Sequence, residues 1–200
     1  MVARCIALEV DALLLLYAEC ARDVRETPGA ARIPALALRE KARAGALPVE
    51  TAPVLAIALG DADDGQTVRN LAKALAAFGQ HARPVVGALV AKLRSLHVTD
   101  DDSFWTFDSL VHATAHVGGD EARAVIDDLG ARSPSPVVRS KGLYRGGLKE
   151  PERTRLFTET LVRARALLDD KTSTGWRAKM TEMAVLPIEE QAKLSPWQAR

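Results

Sequence analysis

Asp108, His112 and His116 stand at i, i+4 and i+8 in the stretch DDDSFWTFDSLVHATAHVGG, residues 100–119, with Trp105 one turn before them. A carboxylate and two neutral imidazoles are ligand types that hold zinc or ferrous iron. On a helix the three share one ridge, where neighbours can meet. First and third ligand are nevertheless about 12 Å apart along the axis, so an ion would take two ligands here and a third from elsewhere. The bland alternative is a solvated polar ridge, with His116 near a helix C-terminus where its cation is tolerated. That alternative is the one adopted, with no metal, cofactor or catalytic residue expected.

The helix that would present these side chains is legible. At about 100° per residue, Phe104, Phe107, Leu110, Val111, Thr114 and Val117 gather on one side of residues 103–118, and Trp105, Asp108, His112 and His116 on the other. The second set is expected to point away from the core. The helix could not bury its apolar side alone, so it reads as one member of a larger packed array.

An internal repeat supplies that array. Shifted by 39 residues, Asp61 falls on Asp100, Asp63 on Asp102, Val68 on Phe107, Leu71 on Leu110, Ala74 on Ala113, Phe78 on Val117, Gly79 on Gly118 and Val86 on Val125. Apolar, turn and glycine positions match while the rest varies, which is how a repeat looks when its packing is retained. A weaker copy begins at RSPSPVVRSKGLYRGG, where Val138-Arg139 echoes Val68-Arg69 and Gly146-Gly147 closes the helix; a further helix is expected to start at Pro151. Each unit reads as helix, polar turn, helix and glycine stop. Residues 3–23 and 31–45 read as preceding helices, and residues 171–200 as a closing segment.

The order of apolar helix, aspartate-rich turn and V-R-x-x-A-x-x-A-L-x-x-x-G, best seen in VLAIALGDADDGQTVRNLAKALAAFG, resembles HEAT repeats. The resemblance implies an all-α, right-handed α-solenoid of stacked antiparallel helix pairs. The chain is read as a single domain, residues 1–200, with capping helices at 1–48, repeats at 49–170 and a C-terminal cap at 171–200. Stacking buries apolar stripes that no pair could bury alone, and atypical ends cover the last repeats. The resemblance is almost silent on activity. HEAT-like metal hydroxylases carry His-Glu pairs, and no His here is followed by Glu. SFWTFDSL and GLKEPERTRL resemble pieces of the HEAT-like DNA alkylation-repair glycosylases, in reversed order and with a different Trp-to-Asp spacing. That likeness implies an alternative in which Trp105 is an aromatic platform and Asp108 the acidic residue, in a nucleic-acid-binding protein.

Composition bounds the rest. Aromatics are 4% of the chain and the net charge is +1, without the global positive field of a general nucleic-acid binder. Charge is uneven locally: residues 97–131 hold eight acidic side chains and one basic, residues 132–165 nine basic and three acidic. The basic stretch is a possible site for nucleic acid or an acidic protein, unless its arginines only solvate the outside of the last long helix. Cys5 and Cys20 form no metal-like or redox-like spacing and read as reduced thiols. DALLLLYAEC reads as a buried helix and not as a signal or lipoprotein start, no segment is long enough to span a membrane, and a cytoplasmic protein is expected. P-loop, dinucleotide-fingerprint and nucleophile-elbow motifs do not occur.

In HEAT-type stacks the helix after the aspartate turn lines the concave side. Arg69, Lys73, Trp105, Asp108, His112, His116, Arg139 and Arg145 would then share one surface. The expected function is a non-enzymatic scaffold or adaptor that binds a protein partner there, exposed Trp and Arg being frequent interface anchors. Arg69 and Arg139 have a competing assignment: pairing with aspartates of the adjacent repeat, Arg69 with Asp102 and Arg139 with Asp127 or Asp128.

Overall fold

The computed structural model describes residues 2–22, 27, 29–98, 100–131 and 150–169, with side chains in the last stretch described from Thr154 onward. The segment 132–149, with Arg139, Arg145 and the third glycine stop, and the capping segment 171–200 lie outside the described residues. Regular structure among the described residues is helical: α1 Val2–Ile6, α2 Val10–Arg22, α3 Arg32–Arg43, α4 Ala52–Asp61, α5 Gly65–Phe78, α6 Val86–Ser95, α7 Asp101–Val117, α8 Asp120–Ala131 and α9 Glu150–Asp169. Pro151 sits in the first turn of α9, where its missing N–H costs nothing.

The helices pack in two rows. In one, α3 lies on α5 and α5 on α7; in the other, α4 lies on α6 and α6 on α8, with α4 against α5 and α6 against α7 joining them. One apolar cluster runs through the stack from Cys5 to Ala164, gathering Met1–Leu168 into one unit. Alanines at the contacts, among them Ala35, Ala37, Ala72, Ala74, Ala113 and Ala115, are buried and let the backbones approach. At Gly65 an added Cβ would overlap the Asp102 carboxylate and the Thr106 hydroxyl, so the start of α5 abuts the start of α7.

The 39-residue register holds in the core. Val68 and Phe107, Leu71 and Leu110, Ala74 and Ala113, Phe78 and Val117, Val86 and Val125 are buried at both members of each pair. Both helices stop at a glycine with positive φ, Gly79 at 53° and Gly118 at 71°. The starts differ. Asp64 caps α5, its carboxylate accepting from the Thr67 N–H at 2.8 Å, whereas Asp100 caps α7 through a reciprocal box with Ser103 at 2.8 and 3.0 Å. The counterpart of Asp100 in cap function is thus Asp64 and not Asp61, because α7 carries almost one added turn. Each cap is worth about 1 kcal/mol.

The N-terminal region departs from the expected single helix over 3–23. It breaks between α1 and α2 because both lie on α3. Cys5 and Leu13 would point about 80° apart on a straight helix, and the break turns both inward. The stretch DALLLLYAEC is only half buried: Leu13 and Tyr17 enter the core, and Leu15 stays exposed. Cys5 is buried and Cys20 partly so, both as free thiols. Among the described residues no helix is long and apolar enough to cross a membrane.

Candidate functional site

The apolar side of α7 is as expected, with Phe104, Phe107, Leu110, Val111, Thr114 and Val117 all buried. The opposite side needs correction. Trp105 is 43% exposed, but Asp108, His112 and His116 are half-buried and not a solvated ridge. The cover comes partly from α9, whose Phe157 stacks on Phe107 at 4.7 Å between ring centres. One turn on, the Thr160 hydroxyl donates to Asp108 Oδ1 at 2.6 Å.

Asp108 and His112 are bound to each other. His112 Nδ1 lies 2.9 Å from the Asp108 carbonyl and 3.4 Å from its carboxylate. Burial pushes the Asp108 carboxyl up, but the hydrogen bond and charge of His112, the Thr160 hydroxyl and Arg163 outweigh burial and hold it below the usual range. Burial likewise pulls His112 down, and Asp108, through hydrogen bond and charge, lifts it above its ordinary value. His116 has no such compensation. Burial, then repulsion from His112, lowers it to about 4, so it is neutral near pH 7 and the tolerated cation expected at this helix end is not present. Among the described residues no group of three or more His, Cys, Asp or Glu is placed to hold a metal ion.

Arg69 follows its competing assignment. Its guanidinium reaches Asp102 Oδ1 at 2.8 Å, the Asp102 carbonyl and Thr106 Oγ1 at 3.0 Å, and Gln66 Oε1 at 2.9 Å. With only 13% of its side chain exposed, it ties α5 to the start of α7 and is not a free binding side chain. Arg32 does the same one step earlier, its Nε donating to Asp64 at 2.9 Å. Asp127 is taken by Arg165 at 3.0 Å; the expected partner Arg139 lies outside the described residues.

Four successive helices, α3, α5, α7 and α9, each present an i, i+4 pair on the same surface: Arg39 with Arg43, Arg69 with Lys73, Asp108 with His112, and Glu159 with Arg163. Adjacent pairs sense one another. Arg39 Nη1 donates to Asn70 at 3.1 Å, Lys73 feels Arg39, Arg43 and Asp108, and Asp108 feels Arg163. Arg39 and Arg43 both lean on Glu40. Lys73 makes no hydrogen bond or ion pair among the described residues; the residue is exposed, and its ammonium is pushed below the usual range by partial burial first and then by Arg39, Arg69 and Arg43, against the pull of Asp108.

Arg39, Arg43 and Thr160 were missed by sequence reasoning. Arg39 and Arg43 precede Arg69 and Lys73 by 30 residues, not 39, because α3 ends at Arg43 whereas α5 runs on past Lys73 to Phe78, and α7 starts further ahead of Asp108 than α5 does of Arg69. A search at 39 alone passes over them. In the basic stretch, the described arginines are internally matched: Arg155 to Glu159 at 2.6 Å, Arg163 to Glu159 at 3.3 Å and Arg165 to Asp127. They solvate the last helix, with Glu159 shared by two of them; on α3 and α5, Arg39 and Arg43 likewise share Glu40, and Lys73 adds a cation with no ion-pair partner among the described residues.

Comparison with protein families, curated proteins and solved structures finds no match to this chain. Function is therefore argued from the surface itself.

Proposed function

We propose that the chain is a non-enzymatic scaffold or adaptor: a single right-handed, HEAT-like solenoid of the cytoplasm that binds a protein partner through the concave side of its α3, α5, α7 and α9 row. The observation that carries this reading is Trp105, a large aromatic side chain left 43% exposed on the same helix surface as the ladder of i, i+4 polar pairs. Aromatic anchors next to charged groups are the common composition of protein interfaces. The rows α3–α5–α7 and α4–α6–α8, the shared 39-residue core register and the Arg69–Asp102 tie between repeats support the solenoid.

The glycosylase-like alternative has less support. Asp108 is engaged by Thr160 and His112, so its carboxylate is committed within the protein. Wild-type protein should release no modified base from alkylated duplex DNA.

Affinity capture from source cells, with nuclease present and with wild type and Trp105→Ala side by side, tests the proposal. A protein captured by the wild type and lost with the folded variant is the expected result. Capture that is unchanged by Trp105→Ala, or that disappears with nuclease, contradicts it.

A further inference from the structure

We infer that Lys73, together with Arg39 and Arg43, forms an anion site that takes an acidic, carboxylate-rich segment of the partner; this rests on the scaffold reading above. Arg39 Nη1 reaches Asn70 on α5 at 3.1 Å, one turn before Lys73, which brings the cations of two helices to one place. Arg39 and Arg43 share the one carboxylate of Glu40. Lys73 has no hydrogen-bond or ion-pair partner among the described residues, and the charges of Arg39, Arg69 and Arg43 act on its ammonium. The acid whose charge acts on Lys73, Asp108, is already bonded to Thr160 and His112. A surface that brings like charges together without neutralising them is suited to an anion from outside, and charge-assisted contacts to carboxylate are the strong ones.

Geometry favours a short acidic segment over a nucleic-acid backbone. Neighbouring helices lie about 8–10 Å apart, so the cluster spans a single step of the row. Duplex DNA carries a charge about every 1.7 Å of axis and draws its affinity from many phosphate contacts. An acidic peptide segment needs only the local site, and Trp105 on α7 stands ready for an apolar residue beside it.

The test is fluorescence anisotropy with three probes: a fluorescein-labelled peptide of alternating Glu and Ala, its Lys and Ala counterpart, and a labelled DNA duplex. The Glu peptide should bind, more weakly as salt rises, and the Lys peptide should not. Lys73→Gln and Arg43→Gln should each weaken the Glu peptide about fivefold, the scale of one surface charge contact. Lys73→Arg should keep it, and Arg94→Gln on α6 should have no effect. Both target side chains are exposed, so the variants retain the fold, which circular dichroism verifies. No binding of the Glu peptide, indifference to Lys73→Gln, or tighter binding of the duplex overturns the inference. A cellular partner lost with Trp105→Ala but retained by Lys73→Gln also overturns it while leaving the scaffold reading intact. Loss of the Glu peptide with Lys73→Gln, alongside capture that ignores Trp105→Ala, upholds the anion site and fails the scaffold reading.

Discussion

The two ends of the α3, α5, α7 and α9 surface use one architecture to opposite effect. At the α7 and α9 end, acids and bases are near balance: Asp108 is held by His112 and Thr160, Arg165 pairs with Asp127, and Arg155 and Arg163 share Glu159. At the α3 and α5 end, Arg39, Arg43 and Lys73 outnumber their carboxylates. α3 packs on α5 and α5 on α7 closely, and α9 meets α7 through Phe157 and Thr160; one apolar cluster runs beneath both ends, so the scaffold and the charge pattern are separable. A rigid apolar ladder positions the side chains, and the choice of i, i+4 pair decides whether a given step is structural or open to a partner.

Core truncation should break both ends equally. Leu71→Ala on α5 and Leu110→Ala on α7 remove side chains with no solvent exposure and should each cost about 3 kcal/mol by urea unfolding. A large difference between them would mean the two ends are not one packed ladder.

Charge removal should then separate the ends. Asp108→Ala leaves the buried Thr160 hydroxyl without its acceptor and removes the carboxylate beside His112, whose bond to the residue-108 carbonyl remains, and should cost about 2 kcal/mol. Arg69→Ala, which removes the inter-repeat tie, should cost about 1 to 2 kcal/mol. Arg43→Ala at the exposed cationic end should cost less than about 0.5 kcal/mol. Chemical denaturation of the three variants checks the order.

The histidines sharpen the comparison through pH. His112, raised above its ordinary 6.5 by Asp108, contributes stability that is full below that value and lost as pH rises through its folded pKa. His116 has the opposite sign: folded near 4, it refuses a proton that the unfolded chain accepts below about 6.5, so acid erodes stability down to about pH 4. His116→Gln should flatten the acid loss and His112→Gln should deepen it, as read from melting temperature against pH. Equal slopes in all three proteins would contradict the burial of His116.

The sequence showed the packing side of α7 and the 39-residue core register because both follow from apolar spacing alone. Trp105 was legible as the outward aromatic for the same reason. The half-burial of Asp108, His112 and His116 was not, since it depends on Phe157 and Thr160, fifty residues on, reaching α7. Arg39 and Arg43 escaped because their step is 30 residues and the next is 39: α3 stops at Arg43, whereas α5 continues past Lys73 and α7 carries added residues ahead of Asp108. The Arg69 to Asp102 tie was foreseeable, because an arginine one turn into a repeat helix faces the aspartate turn of the next.

The most direct test of the claim that this row is the binding surface is a photocrosslinker placed in turn at Trp105 on α7 and at Ile57 on α4, which is 67% exposed in the other row. In nuclease-treated cell extract, the account expects the position-105 probe to trap a discrete protein that the position-57 probe does not. A discrete adduct from position 57 with none from position 105 would place recognition on the other row and contradict it.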